Sequence, residues 1–149
     1  MKHLLVSFIF IMTSLQVAYS QKSQYPEIAA IQKGLVELDI YDSIKRSELY
    51  MKLFTACQKY NDEVSLSSHL SEFGKIHIGL TPNYDTALHY LNMAEDLAVK
   101  HQNEAALSKA YLYKAYYYSV KINRAKSIDY IKRSKSSFAH MIVDGADIL

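Results

Sequence analysis

The stretch ALHYLNMA, residues 87–94, has close counterparts forty residues earlier in SELYMKLF, residues 47–54, and forty residues later in SIDYIKRS, residues 127–134. Ser47, Ala87 and Ser127 share one register, and Tyr50, Tyr90 and Tyr130 share another. Met51, Leu91 and Ile131 form a third, and Phe54, Ala94 and Ser134 a fourth. Upstream of the stretch the spacing is forty-one: Leu66 answers to Leu107, Leu70 to Tyr111 and Gly74 to Ala115. A fixed period of this size marks stacked copies of one supersecondary unit. The one-residue difference has to be absorbed in the loop around Pro82, Asn83 and Tyr84.

Each copy reads as a pair of helices. After residue 25 the only prolines are Pro26 and Pro82, and the chain holds four glycines in all, so little interrupts a helix. Pro26 stands where a first turn tolerates it. The periodicity predicts helices over 26–39, 43–60, 62–79, 84–101, 103–121 and 124–139. In the fourth of these Tyr84, Ala87, Leu88, Leu91, Ala94, Leu97 and Ala98 fall on one face, and Asp85, His89, Asn92, Asp96 and Lys100 on the other, which gives one wet side. Leu66, Leu70, Phe73, His77 and Leu80 make the same stripe in the third. The fifth contains KAYLYKAYYYSVK, residues 109–121, with five tyrosines. It is apolar on nearly every side, the pattern of a helix buried between neighbours. Its stripe of Leu107, Tyr111, Ala115, Tyr118 and Ile122 predicts Tyr111 and Tyr118 as core, leaving Tyr113 and Tyr117 to bridge hairpins. His77 stands in the aromatic slot equivalent to Tyr118.

The pattern of Gly74, Ala87, Leu91 and Ala94 in one unit, and of Ala115, Ser127, Ile131 and Ser134 in the next, resembles the tetratricopeptide repeat. That resemblance covers residues 43 to 138, with Gly34 hinting at a degenerate earlier unit within 21–41. Small side chains let two antiparallel helices approach, and large ones fill the gap to the adjacent hairpin. The period here exceeds the common unit of about 34 residues, as in the lengthened repeats of exported sensor regions in bacterial signalling proteins. Lys114 stands where a leucine is usual, and the closing proline is absent. The fold the resemblance implies is all-α: an antiparallel helix-hairpin solenoid of about three hairpins with a concave groove. Lys109, Leu112 and Tyr116 would line that groove, with Ser68, Ser71, Lys75 and Ile78 in the unit before. A tyrosine and lysines there offer rigid apolar area and charge to an acidic or C-terminal group on a peptide.

The chain opens with Lys2, an apolar run from Leu4 to Leu15, and small residues at Ala18 and Ser20. This is the layout of a secretory signal peptide over residues 1–20, cleaved after Ser20. The run is short for a membrane span, so export to a periplasmic or extracellular space is expected, with membrane attachment only if the segment stays uncleaved. Lysine and arginine number 17 against 15 acids, a balance that supplies no strong field for nucleic acid. The basic run Lys132, Arg133 and Lys135 reads as a solvated helix face, with Asp129 as partner to Arg133. The single Cys57 lies on an apolar stripe and reads as a small buried hydrophobe.

Chemistry is not written in this sequence. Glycines at 34, 74, 79 and 145 cannot form a phosphate loop, no HExxH occurs, and His69 and His77 lack metal-site spacing. No serine is marked as a nucleophile. No enzyme activity, cofactor or metal is expected. The expected role is a non-enzymatic scaffold binding a peptide or protein, and the alternative is a sensor portion of a signalling protein. The apolar tail at 139–149 leaves a solenoid end to be closed, by the tail folding back or, as the favoured readings, by dimerisation through that end or by further chain.

Overall fold

Five of the six helices start on an aspartate or asparagine whose side chain accepts a backbone N–H three residues on. In the computed structural model, which describes residues 25–39 and 41–146 and side chains through residue 140, the helices are α1 (Pro26–Glu37), α2 (Ser43–Tyr60), α3 (Glu63–Gly79), α4 (Tyr84–Lys100), α5 (Glu104–Val120) and α6 (Arg124–Ala146). The caps are Asp42 to Lys45 N, Asp62 to Ser65 N, Asn83 to Thr86 N, Asn103 to Ala106 N and Asn123 to Lys126 N, at 3.0 to 3.1 Å. Each such cap stabilises its helix by about 1 kcal/mol. α1 starts instead on Pro26, whose missing N–H costs nothing there. The leader expected at 1–20 and the tail residues 147–149 lie outside the described residues.

The helices pair as three hairpins, α1–α2, α3–α4 and α5–α6, with α3 and α5 side by side. The fold is all-α, as the repeat predicts. Loop 80–83 is one residue longer than loop 121–123, which is how spacings of forty-one and forty coexist.

Small residues bring the paired helices together. A β-carbon on Gly74 would stand 3.1 Å from the Ala87 carbonyl oxygen, and Ala87, Leu91, Ala94 and Ala98 are fully buried. At the equivalent place in the third hairpin, Ser127 Oγ donates to the carbonyl of Ala115 at 3.0 Å. Further along, the Ser108 and Ser134 hydroxyls each donate to the other's carbonyl, at 3.0 and 2.9 Å. Aromatic side chains fill the space both between hairpins and within them. Phe54 and Tyr50 of α2 meet Phe73 at ring separations of 5.3 and 5.5 Å, and Phe73 meets Tyr90 edge-on at 4.8 Å. His77 stacks on Tyr90 as Tyr118 stacks on Tyr130.

The structure corrects the sequence reading at several places. Tyr113 and Tyr117 are the buried tyrosines of α5, while Tyr111 and Tyr118 are half-buried. The row Ala106, Ala110, Tyr113 and Tyr117 carries the deepest burial and joins the packing against α3 and α4. Tyr111 and Tyr118 lie instead against Tyr130 of α6. Ile122 is not on the stripe at all: α5 ends at Val120, and Ile122 sits 91 % exposed in a left-handed turn with φ 56°. α6 does not stop near 139 but runs on to Ala146. The period also loosens in the first hairpin, where Gly34 faces Leu49 rather than Ser47 and Met51 is 50 % exposed although Leu91 is buried.

Lys114, in the register of Phe73, is inside the protein. Its side chain is 4 % exposed, its ammonium is paired with Glu95 of α4, and it lies 5.6 Å from the Tyr130 ring centroid. A charge so placed persists only with a partner.

Candidate functional site

The inner helices α3 and α5 bring charged and aromatic side chains together around Glu72. Lys109 Nζ lies 3.3 Å from Glu72 Oε1, and the Tyr113 hydroxyl donates to the same oxygen at 2.9 Å. Lys75 Nζ sits 5.3 Å from the centroid of the Tyr113 ring, within cation–π range. Burial pushes the Glu72 carboxyl up, but Lys109, Lys75 and the hydrogen bonds from Tyr113 and Lys109 outweigh it and hold the group below the usual range. Glu72 is therefore an anion at neutral pH, clamped between two helices.

One turn before Glu72, His69 accepts from Gln32 Nε2 of α1 at 3.0 Å. An amide nitrogen only donates, so the imidazole proton is on Nδ1. Burial pushes this imidazole down to about 4, and the nearby Lys109 charge adds to the shift. Gln32, His69, Glu72, Lys109 and Tyr113 thus join α1, α3 and α5 in one polar seam.

The residues expected in a groove have different fates. Lys75 is exposed and forms no salt bridge among the described residues, and Tyr116 is 45 % exposed with its hydroxyl near Gly79. Lys109 is half-buried in the Glu72 pair, and Leu112 packs partly against the second core. Ile78 and Ser71 are buried, Ile78 in a cluster with Ala87, Leu91, Tyr113 and Tyr117 that leaves it no surface for a ligand. The open part of this face is the strip from Lys75 to Tyr116, with Glu72 and Lys109 at its edge.

His77, Cys57 and Glu63 are occupied or shielded. His77 Nδ1 is 3.2 Å from Thr81 Oγ1. Cys57 is buried, which pushes its thiol up to about 12. A shallow depression lined by Cys57, Gln58, Glu63, Leu66, Met93 and Leu97 contains a carboxylate already bound: Glu63 takes Lys100 and, at 2.7 Å, His101. Among the described residues no three metal-ligating side chains come together, and no helix is long and apolar enough to cross a membrane.

Sequence reasoning missed Glu72 and Gln32, and weighed His69 only as a metal ligand. A signal existed for one link: Glu72 and Tyr113 are forty-one apart, so they occupy equivalent positions on neighbouring inner helices. No family model, no curated protein and no solved structure matches this chain.

Proposed function

We propose that the chain is an exported, non-enzymatic scaffold of tetratricopeptide type that holds a peptide or protein segment against α3 and α5. The observation that carries this reading is the strip between Lys75 and Tyr116: a half-exposed tyrosine and a lysine with no salt bridge among the described residues, on two adjacent helices. A tyrosine offers contact area at low entropic cost, and the exposed Lys75 ammonium, which acts on Glu72 without a salt bridge among the described residues, favours an acidic side chain or a free C-terminus. The engagement of Glu72, His69 and Lys114 in packing between helices supports a role without chemistry, because each is committed to holding the array together.

Selection from a library of acidic peptides with free C-termini tests the proposal. The parent protein is expected to enrich a subset, and the double variant Tyr116→Ala, Lys75→Ala to lose it with unchanged melting. No enrichment by the parent removes the function; equal enrichment by the variant removes the site.

A further inference from the structure

The outer face of α4 shows how this array receives its next helix. Leu88 and Leu91 pack in one cluster with Tyr113 and Tyr117 of α5, and Glu95 at the end of the same stripe pairs with Lys114. Shifted by forty residues, that stripe becomes Ile128, Ile131 and Lys135 of α6. Its shape class is kept and its charge is reversed. Ile128 and Ile131 are 43 % and 37 % exposed, where Leu91 is fully buried. Lys135 has no side-chain partner among the described residues, and neither has Lys132. Asp129, the one acid between residues 124 and 140, is tied to Arg133 at 2.9 Å.

We propose that this face of α6 is a docking site for an acidic amphipathic helix of another polypeptide. The occupant would present two large apolar or aromatic residues four apart, matching Tyr113 and Tyr117, with a carboxylate directly after the first, where α5 has Lys114. The pairing inside the chain fixes the geometry, and the lysine in place of Glu95 fixes the sign. A second copy seated α6 against α6 is disfavoured: Lys126 and Arg133 lie over tyrosine rings of the chain itself, but Lys132 and Lys135 would face their own kind, and Asp129, the one acid on residues 124–140, is taken by Arg133. The site lies on a different helix from the strip at Lys75 and Tyr116, so the two readings stand or fall separately.

Peptides copying residues 104–121, one native and one carrying Lys114→Glu, test the proposal by titration into the full-length protein. The Lys114→Glu peptide is expected to bind about tenfold more tightly than the native peptide, as a desolvated charge match against a mismatch requires. Against the surface variant Lys135→Glu the order should reverse, and Ile131→Asp should abolish binding of both. Absence of saturable binding by either peptide overturns the proposal. So does a preference that follows Glu95→Gln instead of Lys135→Glu, which would mean that the peptide displaces the resident α5. A dimer of the free protein that Ile131→Asp dissolves also overturns it, by assigning the face to a second copy.

Discussion

Gly74 and Leu91 meet so closely that a β-carbon on the glycine would stand 2.9 Å from Leu91 Cγ. The Ala87 carbonyl at 3.1 Å closes the other side and, being backbone, cannot swing away. Gly74→Ala should therefore destabilise the protein by about 1–3 kcal/mol, the usual cost of overpacking, despite alanine's better helix propensity. Ala115→Leu, at the equivalent position of the third hairpin, should cost a similar amount. Gly34→Ala is the control, because its added carbon meets nothing nearer than Leu49 Cδ1 at 3.7 Å. There the propensity gain of about 0.5–1 kcal/mol should appear as added stability. Chemical denaturation separates the three, and a Gly74→Ala protein as stable as the parent would refute the close-packing account of the repeat.

Ile122 holds a φ of 56° with its side chain 91 % exposed. A β-branched residue pays for the left-handed region, and here almost no burial is lost by removing it. Ile122→Gly should raise stability by about 1 kcal/mol. Ile122→Asn should gain part of that. A melting temperature that falls with the glycine would show that the isoleucine is held by contacts its exposure does not suggest.

The helix positions and the hairpin pairing were legible because stripes of apolar residues and a fixed period are properties of the chain itself, whereas the far end of α6, beyond the repeat, was not. The choice between the two tyrosine rows was not. α5 is apolar on almost all sides, so no stripe in its own sequence says which row will meet two helices and which only one. The rows were settled by the neighbours: α3 and α4 take Tyr113 and Tyr117, and α6 takes Tyr111 and Tyr118. The same limit hid the seam at Glu72. A glutamate on α3, a lysine and a tyrosine on α5 and a glutamine on α1 become one network only once those helices are known to be adjacent. Ile78 was placed in the groove by register alone, and register does not show that Tyr113 and Tyr117 lean over it.

Lys114 tests whether a buried charge in this array stabilises or merely survives. Glu95→Ala would leave its ammonium inside the protein beside the Tyr130 ring, with no ion-pair partner among the described residues. Loss of one partner of a buried pair costs about 3–5 kcal/mol, and because Glu95 is itself 22 % exposed the lower end is expected. Lys114→Met combined with Glu95→Leu should restore parental stability or exceed it, since apolar residues of similar volume often match a buried pair. If the single variant melts like the parent, water reaches Lys114 and the pair is ornamental.

His69 makes stability depend on pH in a definite window. The folded imidazole is pushed by burial from the ordinary 6.5 down to about 4, while in the unfolded chain it titrates near 6.5. Between those values the unfolded state binds more protons, so stability must fall as the pH is lowered through the window and level off below it. The full loss is on the order of 3 kcal/mol. Glu72 acts further down the scale. Its folded carboxyl lies below the ordinary 4.5, so its contribution is present above that value and disappears as the pH drops through the folded pKa. His69→Gln keeps an amide against Gln32 but cannot take up a proton. Urea midpoints from about pH 7 to about pH 4 should fall steeply for the parent and remain shallow for this variant until Glu72 begins to titrate. Parallel curves would mean that His69 is as free to charge in the folded protein as in the unfolded chain, and that the seam joining α1 to α3 is open to solvent.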